Sequence, residues 1–172
     1  MWVTRVAEGF VFGDIAPEAI ETLKGVPMLI ESSDSRVRDR LIPETYSTDE
    51  DEEHWREHAV PELERLFLSR AQLVRRDLAT IRTMPDSENS VLLVPDEHVN
   101  AWIAALNAAR LAIFALNDMA AEHLEVEGFG SASPQQRKAI LRLEMMAEMQ
   151  SVMLGDYQVG EDDASFDDFV AD

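Results

Sequence analysis

The chain has 172 residues, of which 34 are acidic and 15 basic, so its formal net charge is −19, and it contains no cysteine. This length fits one ordinary hydrophobic core, and the lack of cysteine excludes disulfides, thiolate nucleophiles, Fe–S clusters and Cys-ligated zinc. Such a negative charge argues against direct binding to nucleic acid, where Lys and Arg supply the affinity. We expect a cytoplasmic protein, because the first residues show no cationic start followed by an apolar run.

The N-terminal third alternates short strands and short helices. Two apolar, β-branched runs, Trp2 to Val6 and Phe10 to Phe12, predict a two-stranded hairpin. Pro17 begins a helix that runs to about Lys24, where Gly25 and Pro27 interrupt it. A further short helix is predicted over Ser35 to Leu41.

The middle of the chain predicts a long helix and a third strand. Ser47 or Thr48 before the acidic run Asp49 to Glu53 is a strong helix start, because carboxylates in the first turn complement the exposed N–H groups. Pro61 must kink or restart this helix, which then carries a core-facing apolar stripe and ends near Thr83. Val91 to Val94 predicts a strand that completes a small sheet with the hairpin.

The last third predicts two more helices. Asp96 to about Leu124 is apolar on nearly every side, which is typical of a central helix, and its polar residues make it too polar for a membrane span. Gly128 to Ser131 predicts a flexible turn, and Ser133 opens a helix that stops at Gly155. The predicted fold is mainly α, a bundle of about five helices with a small N-terminal hairpin or three-stranded sheet, in one domain over residues 1–155.

Residues 156–172 differ in composition from the rest of the chain. They include seven acidic residues and no basic one, which predicts a flexible tail in isolation. Phe166, Phe169 and Val170 within it form an acidic, aromatic segment that could fold on a partner. The alternative interpretation is an inert solubilising tail.

One segment has the spacing of a metal site. His54-Trp55-Arg56-Glu57-His58 matches the H-x-x-E-H pattern of the inverted zinc peptidases. His54 and His58 are four residues apart and share one helical face, so both could bind a metal while Glu57 acts as base toward its water. The alternative is a set of solvated residues with Trp55 packed inward.

A second candidate centre lies on the predicted central helix. Arg110 stands in a nearly wholly apolar helix, so it requires a carboxylate or helix C-terminal carbonyl groups as partner. The structural interpretation is an internal ion pair that fixes helix register. The functional one is a pocket in which Arg110 and Asn107 bind an anionic ligand.

Two stretches together resemble an uncharacterised bacterial family, best known from actinobacteria, called domain of unknown function 2017. The first is Arg40 to Asp49 (RLIPETYSTD), and the second is Trp102 to Leu111 (WIAALNAARL). The resemblance covers about residues 2–124, and the HWREH segment departs from the family pattern. Members often lie near the gene for the adaptor of a bacterial Clp protease, which implies a link to proteolysis. The family-specific positions that the resemblance marks are Leu41, Pro43, Tyr46, Trp102, Asn107 and Arg110.

We expect a non-enzymatic interaction or regulatory module with a protein partner, because no complete catalytic constellation is visible. No cofactor, membrane association or direct nucleic-acid binding is expected. Two other classes stay open: a metal-dependent hydrolase centred on His54, Glu57 and His58, and an acidic mimic of nucleic acid. An apolar surface patch would indicate a homodimer.

Overall fold

The computed structural model describes residues 1–157, 159–162 and 164–169, and over these the protein is mainly helical, as predicted. The described residues form eight α-helices and a five-stranded sheet, rather than about five helices and at most three strands. The additional elements are short. For example, α4 and α5 replace one predicted helix, and α7 replaces a predicted turn.

The sheet has the strand order β3-β4-β2-β1-β5. Its strands are β1 (Trp2–Val6), β2 (Gly9–Ile15), β3 (Arg82–Thr83), β4 (Ser90–Pro95) and β5 (Gly160–Glu161). The predicted hairpin and third strand are confirmed, and the two-residue edge strands β3 and β5 are additional. Gly9 is required at the hairpin turn, because a Cβ atom there would lie 2.2 Å from the carbonyl oxygen of Val94.

Three short helices follow the hairpin: α1 (Pro17–Lys24), α2 (Val26–Ile30) and α3 (Ser35–Leu41). The predicted bounds of α1 and α3 are confirmed. Gly25 ends α1 but keeps helical backbone angles (φ −73°, ψ −18°), so the chain bends directly into α2 instead of entering a loop.

The long middle helix is divided into α4 (Asp49–His58) and α5 (Val60–Leu78). Ala59 is still helical, and backbone hydrogen bonds from Ala59 to Trp55 and from Leu63 to Ala59 span the junction, so helical backbone continues past Pro61 although proline itself donates no hydrogen bond. The predicted end near Thr83 is wrong. The helix stops at Leu78, because Arg82 and Thr83 pair with β4 as strand β3.

The central helix, α6 (Val99–Leu116), is shorter than predicted. Residues Asp96–His98 form a 3-10 turn before it, and the side-chain amide of Asn117 donates to the carbonyl of Ile113 at 2.8 Å where it ends. Asp118 then has a positive φ of 48°, which turns the chain away. The expectation that the helix continues to Leu124 is therefore wrong.

The region after it also differs from expectation. Gly128 to Ser131, predicted as a flexible turn, belongs to the helix α7 (Val126–Ser131). A Cβ atom at Gly128 would lie 1.8 Å from the Glu122 carbonyl oxygen, so glycine permits close chain approach here. The last helix, α8 (Pro134–Leu154), has the predicted capping box at Ser133 and ends at Gly155 in the left-handed conformation (φ 84°).

The core is built around α6, which packs against α2, α3, α5 and α8. Trp102, Leu106 and Ala109 of α6 are fully buried, and Phe12 and Leu92 of the sheet face the same core. Within the described part of the chain, residues 96–116 form the one helical stretch that is long and apolar enough, by length and composition alone, to cross a membrane. In the fold this stretch is the central core helix.

A smaller apolar cluster lies on the other face of the sheet. Val6, Val11 and Val91 form it, and Phe166 and Phe169 from the C-terminal segment pack against it. The segment reaches this face because β5 pairs in parallel with β1 at the sheet edge.

Candidate interaction surface and buried polar centre

Residues 43–66, which we call the arm, extend from the helical body. Thr48 caps α4, its side-chain oxygen accepting from the backbone N–H of Asp51, and the acidic residues of the first turn follow as predicted. The main contacts of α4 are with α5 alone, whereas the second half of α5 packs on α2 and α6. Val60 of the arm is buried and Glu64 lies 2.6 Å from the Arg38 guanidinium of α3, so the α5 part of the arm is anchored to the body, whereas α4 has no buried residue.

A carboxylate holds the loop before α4 against the helix. Glu52 accepts hydrogen bonds from the backbone N–H groups of Thr45 and Tyr46, at 2.9 and 3.0 Å, and its other oxygen lies 2.6 Å from Nε of Arg56. The two backbone donors, together with Arg56, hold the pKa of the Glu52 carboxyl below its ordinary value. The loop thereby places the half-exposed Tyr46 ring edge-on to Trp55, with 6.2 Å between ring centroids.

An apolar stripe follows one side of the arm across the junction of α4 and α5. Its members, Trp55, Ala59, Leu63 and Leu66, line an open hollow of about 590 Å³ together with Glu62, Arg65 and Ser69. Leu66 is 43% exposed. The indole N–H of Trp55 is shielded from solvent and finds no acceptor among the described residues. Trp55, Ala59 and Leu63 are half-buried, so the stripe is an apolar helix face that the described chain covers only in part.

The arm is also strongly acidic. Glu44 to Glu64 contains nine acidic residues and one basic residue, Arg56. Arg56 is already paired with Glu52, while Asp49, Glu50 and Glu53 are exposed and form no ion pair with the described residues. An apolar stripe and a field of exposed carboxylates therefore share one projecting element.

The HWREH segment lies on this arm. The rings of His54 and His58 are 4.4 Å apart between centroids, and Nε2 of His58 lies 3.8 Å from a Glu57 oxygen. All three side chains are exposed. The described residues contain no group of three or more His, Cys, Asp or Glu side chains placed to hold a metal ion.

A buried polar centre joins the end of α5 to the start of α6. Asp77 is 6% exposed and accepts the indole N–H of Trp102 at 2.9 Å. Its two oxygens also lie 3.0 and 2.9 Å from Nδ1 of His98, in the 3-10 turn before α6. The Asp77 carboxylate is thus the hydrogen-bond partner of two ring nitrogens, one in the 3-10 turn and one in α6.

The same pairing of a carboxylate with an imidazole orients general bases in enzymes. Here Nε2 of His98 lies 3.4 Å from a guanidinium nitrogen of Arg76 and 3.5 Å from a Glu97 oxygen. Among the described residues, no hydroxyl or thiol is hydrogen-bonded to His98. The centre is therefore suited to stabilising the packing of α5 against α6.

Sequence reasoning named Trp102 for this region but missed its two partners. Asp77 follows the buried Val74 by three residues, which places a carboxylate on the core-facing side of its helix. A carboxylate at such a position needs a buried partner, so this spacing is a signal that could have been used. The identity of the partner, His98, depends on how α5 and α6 pack.

Arg110 has a partner of another kind than expected. Its guanidinium donates to the side-chain carbonyl of Gln150 on α8 at 2.7 Å, and the Gln150 amide donates to the backbone carbonyl of Ile103 at 2.8 Å. Within the described part of the chain, no carboxylate pairs with Arg110 and its Nε has no hydrogen-bond partner. Asn107 is exposed. In place of the expected internal ion pair, Arg110 forms a hydrogen bond to a neutral side-chain amide.

The aromatic residues of the C-terminal segment lie against their own sheet. Phe166 and Phe169 are half-buried on the cluster of Val6, Val11 and Val91, and the Phe169 ring lies 6.1 Å from that of Trp2. Val170, the third residue of the predicted partner-binding segment, lies outside the described residues.

Comparison with known proteins identifies the chain at the level of a family. No curated protein and no solved structure matches it. A family model described as a domain of unknown function, DUF2017, matches residues 10–155 and so includes the last helix, which lies beyond the resemblance over residues 2–124. Because this match covers most of the chain, the protein belongs to the DUF2017 family of domains of unknown function.

Proposed function

We propose that this protein is a non-enzymatic interaction and regulatory module, and that the apolar stripe of the arm is its recognition surface. The observation that carries the proposal is the open apolar hollow of Trp55, Ala59, Leu63 and Leu66 on α4 and α5, in which the first three residues are half-buried and Leu66 is exposed. Helix faces of this composition bury themselves against another element in a finished fold, and here the described chain covers the face only in part.

Two further features support a binding role. The shielded Trp55 N–H without an acceptor is uncommon in a completed interior, where nearly every buried donor is satisfied. The loop of Tyr46, a family-specific position in the resemblance, is fixed against the stripe by Glu52. A surface held in place before binding loses less conformational entropy when a partner docks.

The test is quantitative affinity capture from the cells that produce the protein. Three baits are compared: the unchanged chain, the Leu66→Gln variant and the Leu68→Gln variant. Leu68 is a matched control, because it lies on the same helix and is 45% exposed but does not line the stripe. We expect a partner that is retained by the unchanged chain and by Leu68→Gln and is lost with Leu66→Gln. Equal recovery with all three baits would contradict the proposal.

A further inference from the structure

We infer that the partner presents a basic amphipathic helix, which lies along the apolar stripe with its apolar face down and whose Lys or Arg residues are attracted by the exposed carboxylates of the arm. This inference rests on the proposed function and adds the chemistry of the partner.

The shape of the surface favours a helix. Trp55 and Leu66 are eleven residues apart on α4 and α5, and backbone hydrogen bonds from Ala59 to Trp55 and from Leu63 to Ala59 span the junction of the two helices. At about 1.5 Å per residue the stripe is roughly 16 Å long, which matches about three turns of a partner helix. An amphipathic helix that docks with anchors every three to four residues has this footprint.

The charge of the surface favours a basic partner. The exposed carboxylates of Asp49, Glu50 and Glu53 have no ion-pair partner among the described residues, and the two arginines beside the stripe are held by Glu52 and Glu62. A basic helix supplies the missing positive charge and is also steered toward the arm from a distance.

A second copy of this chain fits less well. It would add another charge of −19 to the first, and repulsion of this size opposes association wherever local pairing does not offset it. A membrane surface with anionic lipids is disfavoured for the same reason, because the exposed carboxylates lie on the same arm as the stripe.

The experiment uses the full chain and three labelled helical peptides of about 14 residues, followed by fluorescence anisotropy at about 50 mM and about 300 mM salt. One peptide places Leu on one face and Lys on the other. The second keeps the Leu positions and replaces Lys with Glu. The third has the composition of the first in scrambled order.

We expect the Lys/Leu helix to bind most tightly and to weaken several-fold at the higher salt concentration, because the salt screens the carboxylates. Leu66→Gln should weaken its binding by about tenfold, whereas Leu68→Gln should change it by less than about twofold. The double variant Glu50→Gln/Glu53→Gln should weaken binding at low salt and reduce the salt dependence.

Three results would overturn the inference. The Glu/Leu helix could bind as tightly as the Lys/Leu helix. The scrambled peptide could bind equally well and independently of Leu66, as expected of an acidic nucleic-acid mimic. Light scattering could show a dimer that Leu66→Gln disrupts.

If the cellular partner still depends on Leu66 while the Lys/Leu helix does not bind, the basic chemistry is wrong and the recognition surface stands. If the cellular partner does not depend on Leu66, the proposed function itself is wrong.

Discussion

At the residue scale, the buried polar groups of this protein connect helices that would otherwise meet through apolar contacts alone. Asp77 is the clearest example, because its carboxylate is hydrogen-bonded to the ring nitrogens of both Trp102 and His98. Burial of a carboxylate is costly unless its hydrogen bonds are made, so these residues depend on one another.

Replacement of Asp77 therefore has a large expected effect. Asp77→Ala leaves the fully buried Trp102 N–H and the ring of His98 without an acceptor and should lower the free energy of unfolding by about 3 kcal/mol. Urea denaturation measures this change. Asp77→Asn is the control, because its amide oxygen still accepts from Trp102 and should preserve more of the stability. A loss below about 1 kcal/mol for Asp77→Ala would contradict the role assigned to this residue.

Replacement of Arg110 should destabilise the protein less than replacement of Asp77. Its guanidinium makes one hydrogen bond to the neutral amide of Gln150 and leaves Nε without a partner, so its charge gains little from the fold. Arg110→Met keeps most of the aliphatic volume but leaves the buried Gln150 carbonyl without this donor, so it should lower the free energy of unfolding by about 1 kcal/mol. Thermal or urea unfolding measures it. A loss above about 3 kcal/mol would indicate a charged partner that this account lacks.

At the element scale, the structure shows which signals are local and which are not. Thr48, Ser133 and Gly155 mark helix ends correctly, because a cap depends on the residues next to it. The sequence does not reveal the end of α6, because apolar residues continue past Asn117. The helix ends where the side-chain amide of Asn117 donates a hydrogen bond to the Ile113 carbonyl. Strand β3 is missed because two residues become a strand only by pairing with β4.

The same distinction applies to the candidate site. Tyr46 and Trp102 are singled out by sequence, but each is explained by a contact that sequence does not give: Tyr46 by the Trp55 ring and Trp102 by Asp77. The acidic start of α4 is visible in the sequence. That the apolar stripe on the same arm stays partly exposed follows only from how the helices pack.

The loop before α4 should respond to acid. The pKa of Glu52 is lower in the folded protein than in the unfolded chain, so its stabilising contribution is complete above the unfolded pKa and is lost as pH falls through the folded pKa. We expect the amide NMR signals of Thr45 and Tyr46 to shift together as pH falls through the folded pKa of Glu52, while the core signals stay native.

Glu52→Gln provides the control for this titration. The Gln oxygen can accept from the same two N–H groups but does not titrate in this range, so the acid-dependent shift at Thr45 and Tyr46 should vanish. Signals of Thr45 and Tyr46 that do not move with pH in the unchanged protein would show that the Glu52 contact is not formed in solution.

At the scale of the whole molecule, the charge of −19 is unevenly distributed. Two stretches, residues 44–64 and 156–172, hold sixteen of the 34 acidic residues and one basic residue between them. The first stretch lies on the projecting arm. The second passes along the edge of the sheet, where its described aromatic residues cover a small apolar cluster.

Truncation after Gly155 tests whether this second stretch belongs to the fold. Loss of Phe166 and Phe169 exposes Val6, Val11 and Val91, so we expect the free energy of unfolding to fall by about 1 to 3 kcal/mol. Urea denaturation measures the loss, and the emission of Trp2, which the Phe169 ring approaches, should shift with it. Unchanged stability and unchanged emission would instead support an independent tail.

The central claim is that the protein acts through the stripe on its arm, and site-specific photocrosslinking in the cells that produce it tests this most directly. A photoreactive residue replaces Leu66 in one variant and Leu68 in the other, since these two leucines have nearly equal exposure on the same helix. We predict a discrete crosslinked product from position 66 that is absent from position 68. No product at position 66, or the same products from both positions, would contradict the account.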